Sequence, residues 1–358
     1  MLTRADRAVE LASTIKAAGR RLGFLHVGVT DASALDEPRA RLARWLTEGR
    51  HGHMRYLEEF QARHERFLAA IPNLRSLVIV AAGYEANISP RVRHQAAGRI
   101  ARYAMGRDYH EVVRARLEEL GAELQRLVED PVTIRCCVDT TAVHERSLAA
   151  SAGLGFIGKN TCLILPKGGS WIVLGVLATD LEIAPDRPLT HTCGACTRCL
   201  EACPTGALTE PYRMDARLCI AYLTLEHRGD IPPALQEHMG NWIAGCDICQ
   251  EVCPYNAKPA EPSWLELTPS AGAGDSIPLE EILAYGDAEV FQRRFAKTAL
   301  TRPTYQGMVR NAAIAAGNAG DPQLVQALRT RADDPDPVIQ RAARTALNKL
   351  GALQEIGS

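Results

Sequence analysis

The chain has 358 residues, of which 46% are hydrophobic and 23% charged, and a formal net charge of −1. That length allows two or three domains with cores of their own, and the near-neutral balance excludes a globally basic nucleic-acid binder, so any pull on a polyanion must come from a local patch. The opening MLTRADRAVELASTIKAAGRRLGF is charged throughout, which excludes a secretory signal, and apolar runs such as residues 171–178 are too short to span a bilayer, so a soluble cytoplasmic protein without membrane contact is expected.

Residues 5–22 predict an amphipathic helix, because Val9, Leu11, Ala12, Ile15 and Leu22 recur at helical spacing. Apolar, β-branched runs predict strands at 24–30 (FLHVGVT), 76–81 (SLVIVA), 132–138 (VTIRCCV) and 171–179 (WIVLGVLAT). A helix over 109–127, with Val112, Leu117, Leu120 and Leu124 on one face, separates the second strand from the third. Strands interleaved with helices predict an α/β or α+β domain over residues 1–185. Residues 186–258 hold eight of the eleven cysteines among Pro, Gly and Thr turns, and 259–280 is rich in Pro, Gly and Ser and reads as a connection. In the tail, Asn311-Ala-Ala recurs as Arg341-Ala-Ala and Ala316-Gly-Asn318 as Ala346-Leu-Asn348, a shift of 30 residues. Asp-Pro pairs from residue 321 and around residue 335 punctuate this segment, which predicts a short HEAT-like helical repeat within 259–358.

Cysteine chemistry is the strongest signal. Cys193, Cys196, Cys199 and Cys203 followed by Pro204 form the C-x2-C-x2-C-x3-C-P run of bacterial ferredoxins, whose fourth cysteine ligates the other cluster. Cys246, Cys249, Cys253 and Pro254 give a second run one cysteine short, and Cys219 supplies the missing thiolate. The ferredoxin crossover then assigns Cys193, Cys196, Cys199 and Cys253 to one [4Fe–4S] cluster and Cys203, Cys219, Cys246 and Cys249 to the other. The alternative is a pair of zinc sites, but each zinc site takes four ligands from two C-x2-C pairs and has no use for the third cysteine and the proline. Cys136, Cys137 and Cys162 lie in apolar segments and are expected as small buried hydrophobes. Gly153-Leu-Gly155 lacks the rest of a dinucleotide fingerprint, and Asp108-Tyr-His110 lacks the glycine of the cobalamin D-x-H-x-x-G motif, where Val113 stands instead.

Taken together, ARYAMGRDYH (101–110), VDTTAVHERSLAASAGLGFIGKNTCLI (138–164), the two cysteine runs, YLTLEHRGDIP (222–232) and VRNAAIAAGNAGD (309–321) resemble the epoxyqueuosine reductase family over nearly the whole chain. The resemblance implies an α+β fold: a nitroreductase-like cobalamin-binding domain (1–185), a ferredoxin-like two-cluster domain (186–258) and a linker with a HEAT-like tail (259–358). It implies base-off cobalamin supplied with electrons by both clusters, and reduction of the epoxide of epoxyqueuosine to an alkene at the tRNA wobble position. Asp139 matches the family's proton donor; its place after an apolar strand suggests a raised pKa, and its alternative role is a cap on a helix over 140–153. Arg102, Asp139, Lys159, Asn160, Ala221 and Asp247 fall in segments that line the cobalamin. Ala142 replaces a usual proline and Ala221 a usual serine, departures that bear on the Asp139 loop and on one polar cofactor contact.

The expected partners are an anticodon stem-loop and an unidentified electron donor, with the chain acting as a monomer. Residues 291–310, FQRRFAKTALTRPTYQGMVR, contain no acid and interleave Arg293, Arg294, Lys297, Arg302 and Arg310 with Phe291, Phe295 and Tyr305. Bases of this kind neutralise phosphates and aromatics stack on unpaired bases, so Arg293, Arg294 and Lys297, with Arg228, are the expected tRNA contacts. Competing readings are a corrinoid iron–sulfur reductase of a small molecule, or an electron-transfer module with no need of Asp139.

Overall fold

The structure is a computed structural model that describes residues 3–31, 35–84, 87 and 96–352. Helix α1 (Arg4–Arg21) starts at a capping box, in which Thr3 accepts from Asp6 N and the Asp6 carboxylate accepts from Thr3 N. There follow β1 (His26–Thr30), α2 (Asp36–Thr47), α3 (Phe60–Ala69), β2 (Ser76–Gly83), β3 (Ala97–Ile100), α4 (Tyr109–Arg126), β4 (Ile134–Cys137) and α5 (Glu145–Ser151). A small hairpin, β5 (Phe156–Ile157) and β6 (Leu163–Ile164), precedes β7 (Ile172–Thr179).

The main sheet is antiparallel in the order β1-β2-β7-β4. β2 is buried along its whole length because both faces of the sheet are covered. Val78, Val80 and Ala82 pack with Leu11 and Ile15 of α1 and Leu117 and Leu120 of α4. Leu77, Ile79 and Ala81 turn the other way, toward Leu148 and Ala149 of α5. Double coverage explains why SLVIVA shows no polar alternation.

The cysteine-bearing stretch holds α6 (Arg198–Ala202), α7 (Ile220–Leu225), α8 (Pro233–Gln236), β8 (Trp242–Ala244) and α9 (Ile248–Glu251). After it come β9 (Ser276–Pro278), α10 (Leu279–Leu283), α11 (Ala288–Phe295), α12 (Thr304–Ala319), α13 (Val325–Arg331) and α14 (Pro337–Lys349). β3 lies between β8, to which it is parallel, and β9, to which it is antiparallel. This sheet therefore takes one strand from each of the three sequence stretches, and a single core unites Ile100, Leu223, Ile243, Ile277, Phe291, Val309 and Leu347. The segment expected as a plain connection supplies β9 and also Trp264, whose Nε1 donates to Leu22 O at 2.9 Å.

In the tail α12 packs against α14 so closely that a Cβ on Gly317 would lie 2.9 Å from Ala346 Cβ, at two positions near the ends of the recurring motif. The basic run is largely structural at its far end. Arg310 is 1% exposed and donates to Leu223 O, His227 O and Gly229 O, while Asn311 Nδ2 donates to Thr224 O and Ile243 O. Phe291 and Phe295 are fully buried, so the expectation that they stack on bases is corrected: they are the core face of α11. Among the described residues no helix is long and apolar enough to cross a membrane.

Candidate active site and cysteine centres

Asp139 follows β4 with φ +50°, the left-handed region that costs an ordinary L residue about 1–2 kcal/mol. The turn aims the carboxylate outward, 60% exposed, where Oδ2 accepts from Tyr109 OH at 3.0 Å and pairs with His110 Nε2 at 3.1 Å. His110 Nδ1 meets Asp108 Oδ1 at 2.6 Å, so the imidazole is gripped between two carboxylates. The helix after Asp139 begins only at Glu145 and has His144, not Asp139, at its cap, which removes the capping role. Instead Asp139 N donates to Glu145 Oε1 at 2.7 Å, anchoring the loop in which Ala142 is buried.

Electrostatics correct one expectation. The hydrogen bond from His110, followed by that from Tyr109, holds the Asp139 carboxyl below the usual carboxylate range rather than above it. His110 is raised to about 9: burial opposes its charge, but the bonds to Asp108 and Asp139 outweigh it. The proton of this group therefore sits on His110 at neutral pH. Burial pushes Glu145 up to about 8, so it is mostly protonated there.

Arg102 and Asp247 are brought together beside this group. Arg102 N donates to Asp247 Oδ2 at 2.8 Å, and the guanidinium lies 4.1 Å from the Trp171 ring centre, stacked on it. Asp247 is 1% exposed and burial, opposed by Arg102, raises it to about 6. Between the two carboxylates lies Tyr103, whose phenol is held high by burial and then by Asp139 and Asp247. Arg102 Nε and Nη1 are buried without a hydrogen-bond partner among the described residues, although Nη1 keeps a 3.6 Å ion pair to Asp247. Ala221 stands in the first turn of α7, two residues after Cys219.

The eight cysteines fall into two groups. Cys193, Cys196, Cys199 and Cys253 line one cavity together with Lys159, Asn160 and Tyr255. Lys159 and Asn160 thus stand at a cysteine centre, with Lys159 Nζ donating to Gly194 O and Cys196 O. Elsewhere Cys246 is raised by burial and feels Cys219 and Cys203, and Cys249 feels Cys246 and Cys219. Gly245 precedes that group at φ +75°, where a Cβ would lie 2.5 Å from Ala101 Cβ. Among the described residues no three Cys, His, Asp or Glu side chains are close enough to hold a single metal ion.

The model of the family described as epoxyqueuosine reductase QueG, DUF1730, matches residues 65–140, and that of the 4Fe-4S double cluster binding domain matches 192–256. The epoxyqueuosine reductase of Xanthomonas campestris pv. campestris is 37% identical over 359 residues, covering 98% of this chain and 99% of its own length. That of Gloeobacter violaceus is 40% identical over 324 residues, covering 88% and 98%. The chain belongs to the epoxyqueuosine reductase family. A crystal structure of epoxyqueuosine reductase with a tRNA-Tyr epoxyqueuosine-modified tRNA stem loop matches the fold with a TM-score of 0.86 at 29% identity, covering 96% of this chain and 90% of that one. The protein is accordingly an oxidoreductase, an epoxyqueuosine reductase with a double 4Fe-4S domain.

Several residues of this candidate site escaped sequence reasoning. His110 and Tyr109 were visible only within a family-like stretch and a failed cobalamin motif, without a role, yet they hold Asp139. Glu145 carries no spacing signal. Cys162, expected as a small hydrophobe, neighbours the Cys249 thiol, which lowers its own thiol pKa.

Proposed function

We propose that this enzyme reduces epoxyqueuosine in the tRNA wobble position to queuosine, using base-off cobalamin and two [4Fe–4S] clusters with the crossed ligand sets given above. The observation that carries the reading is Asp139: an outward carboxylate on a strained turn, bonded to a protonated His110, beside the cysteine-bearing segment. Reduction of an epoxide to an alkene consumes two electrons and two protons and releases the oxygen as water, so the site must supply protons to that oxygen. Asp139 and His110 hold one such proton, Tyr109 fixes the carboxylate, and Glu145 fixes the loop.

Both cofactors fit the residues present. Four thiols around one cavity are a donor set for a cubane, and the unpartnered Arg102 donors suit an acceptor such as a corrin side-chain amide. When bound, cobalamin supplies a low-potential metal centre that turns single electrons from the clusters into a two-electron reduction. Arg102, Asp247 and Ala221 line its side of the site in this reading, and Lys159 and Asn160 shape the cluster side. Residues 1–185 form the catalytic domain, 186–258 the cluster domain and 259–358 a HEAT-like tail, in a monomeric cytoplasmic enzyme served by a separate electron donor. Anaerobically purified protein with added cobalamin should hold about eight iron per chain and one corrinoid, and should reduce epoxyqueuosine in an anticodon stem-loop. Stoichiometric zinc with negligible iron would sink this reading.

The tRNA is held, in this proposal, by exposed bases of the tail. Lys297 O accepts from Asp108 N at 2.7 Å, which ties the tail to the loop just before His110. Arg293 and Arg294 project from α11 paired with Glu289 and Glu281, Arg302 pairs with Glu226, and Arg228 donates to Arg302 O. Exposed pairs of this kind are weak, so phosphates can displace the carboxylates. Changing Arg293, Arg294 and Lys297 together to Ala should weaken binding of the stem-loop and flatten its log–log salt slope by about 2, at ~0.7 per lost contact. Unchanged affinity and slope in a titration from low to high salt would make these side chains an ordinary solvated face.

A further inference from the structure

The turn between β5 and β6 runs along the cavity of the first cysteine group. Lys159 N–H donates to Cys193 Sγ at 3.4 Å, and its Nζ ties the turn to Gly194 O and Cys196 O. The next residue, Asn160, is only 4% exposed and lines the same cavity. Its Oδ1 accepts from Cys162 N at 3.2 Å, which decides the orientation of the amide and leaves the NH2 on the other side. Nδ2 is buried and has no hydrogen-bond partner among the described residues. A buried amide donor without an acceptor is costly, and native interiors leave few of them. The cavity that Asn160 lines is walled by four sulfurs, and a cubane seated there would add sulfide acceptors as well.

Resting on the reading that Cys193, Cys196, Cys199 and Cys253 hold a cluster, we propose that Asn160 Nδ2, together with Lys159 N–H, hydrogen-bonds the sulfurs of that cluster and raises its reduction potential. The reduced cluster carries one more negative charge than the oxidised one, so each N–H aimed at its sulfurs stabilises the reduced form more. Asn160 is a positioning and tuning residue here: the backbone donor of Lys159 is common to any sequence, whereas the amide donor is specific to Asn.

The test uses the full-length holoenzyme, with iron content and an EPR-monitored redox titration of wild type, Asn160→Ala and Asn160→Asp. Asp keeps an oxygen for Cys162 N–H but removes the donor and adds charge. Expected are about eight iron in all three, one midpoint lowered in Asn160→Ala, the same midpoint lowered further in Asn160→Asp, and the second midpoint unmoved. Unmoved midpoints in both variants at full iron content overturn the proposal. Should Asn160→Ala lose iron, Asn160→Asp decides by its midpoint. Loss of iron from both, with wild type intact, makes Asn160 a purely structural prop and overturns it as well. Wild-type protein without iron would instead overturn the cluster reading itself, with the residue's role falling with it.

Discussion

Asp139→Asn enzyme should lose turnover by roughly 10²-fold or more while keeping its iron and its corrinoid. The substitution preserves size and leaves Tyr109 an oxygen to bond, so the loop should stay in place. What it removes is the charge that keeps the proton on His110. The two groups titrate as a pair, and the apparent pKa belongs to both. His110 is raised to about 9, so the transferable proton is present below that value and is lost as pH rises through it. Wild-type kcat should therefore fall on the basic side around pH 9, and the residual activity of Asp139→Asn should fall at lower pH, because a bond that raised His110 has gone. A pH–rate profile of both enzymes with an epoxyqueuosine stem-loop checks this. Near-wild-type turnover in the variant would reassign Asp139 to shaping the loop, and identical basic limbs would uncouple it from His110.

Cys253→Ala should abolish turnover and halve the iron, from about eight to about four per chain. Cys253 lies in the second run of the sequence but lines the cavity of the first group, beside Cys193, Cys196 and Cys199. Its loss leaves the first cluster with three thiolates, whereas Cys203, Cys219, Cys246 and Cys249 remain untouched. The surviving EPR signal should thus match that of a protein whose first run is damaged at Cys199, and differ from one damaged at Cys246. Matching the Cys246 variant instead would mean that each run builds its own cluster and the crossover is wrong.

How much of this could be read beforehand differs from element to element. α1, α4 and the strands of the main sheet appeared within a few residues of their expected bounds, because their apolar spacing is a local property of consecutive side chains. The helices over 36–69 went unread in the sequence, and in the fold α2 buries none of its side chains and α3 only His64. The cysteine runs were legible because a cubane sets the spacing of its ligands along the chain. Asp139 was found by likeness to a family, and its ionisation was read with the wrong sign, since the strand before it says nothing about the imidazole that bonds it.

Spacing and likeness thus identified, from the amino-acid order alone, the double 4Fe-4S domain and the family, and they singled out Asp139. Only the folded chain decided which groups share a dielectric and a hydrogen bond. Arg310 looks like its basic neighbours in sequence, yet it is a buried clasp, because three carbonyls from residues 223–229 converge on it. Phe291 and Phe295 became core, and Asn160 a buried donor at the cavity wall, for the same reason. Desolvation and non-local bonding depend on residues far apart in the chain, and no window of neighbouring residues contains them.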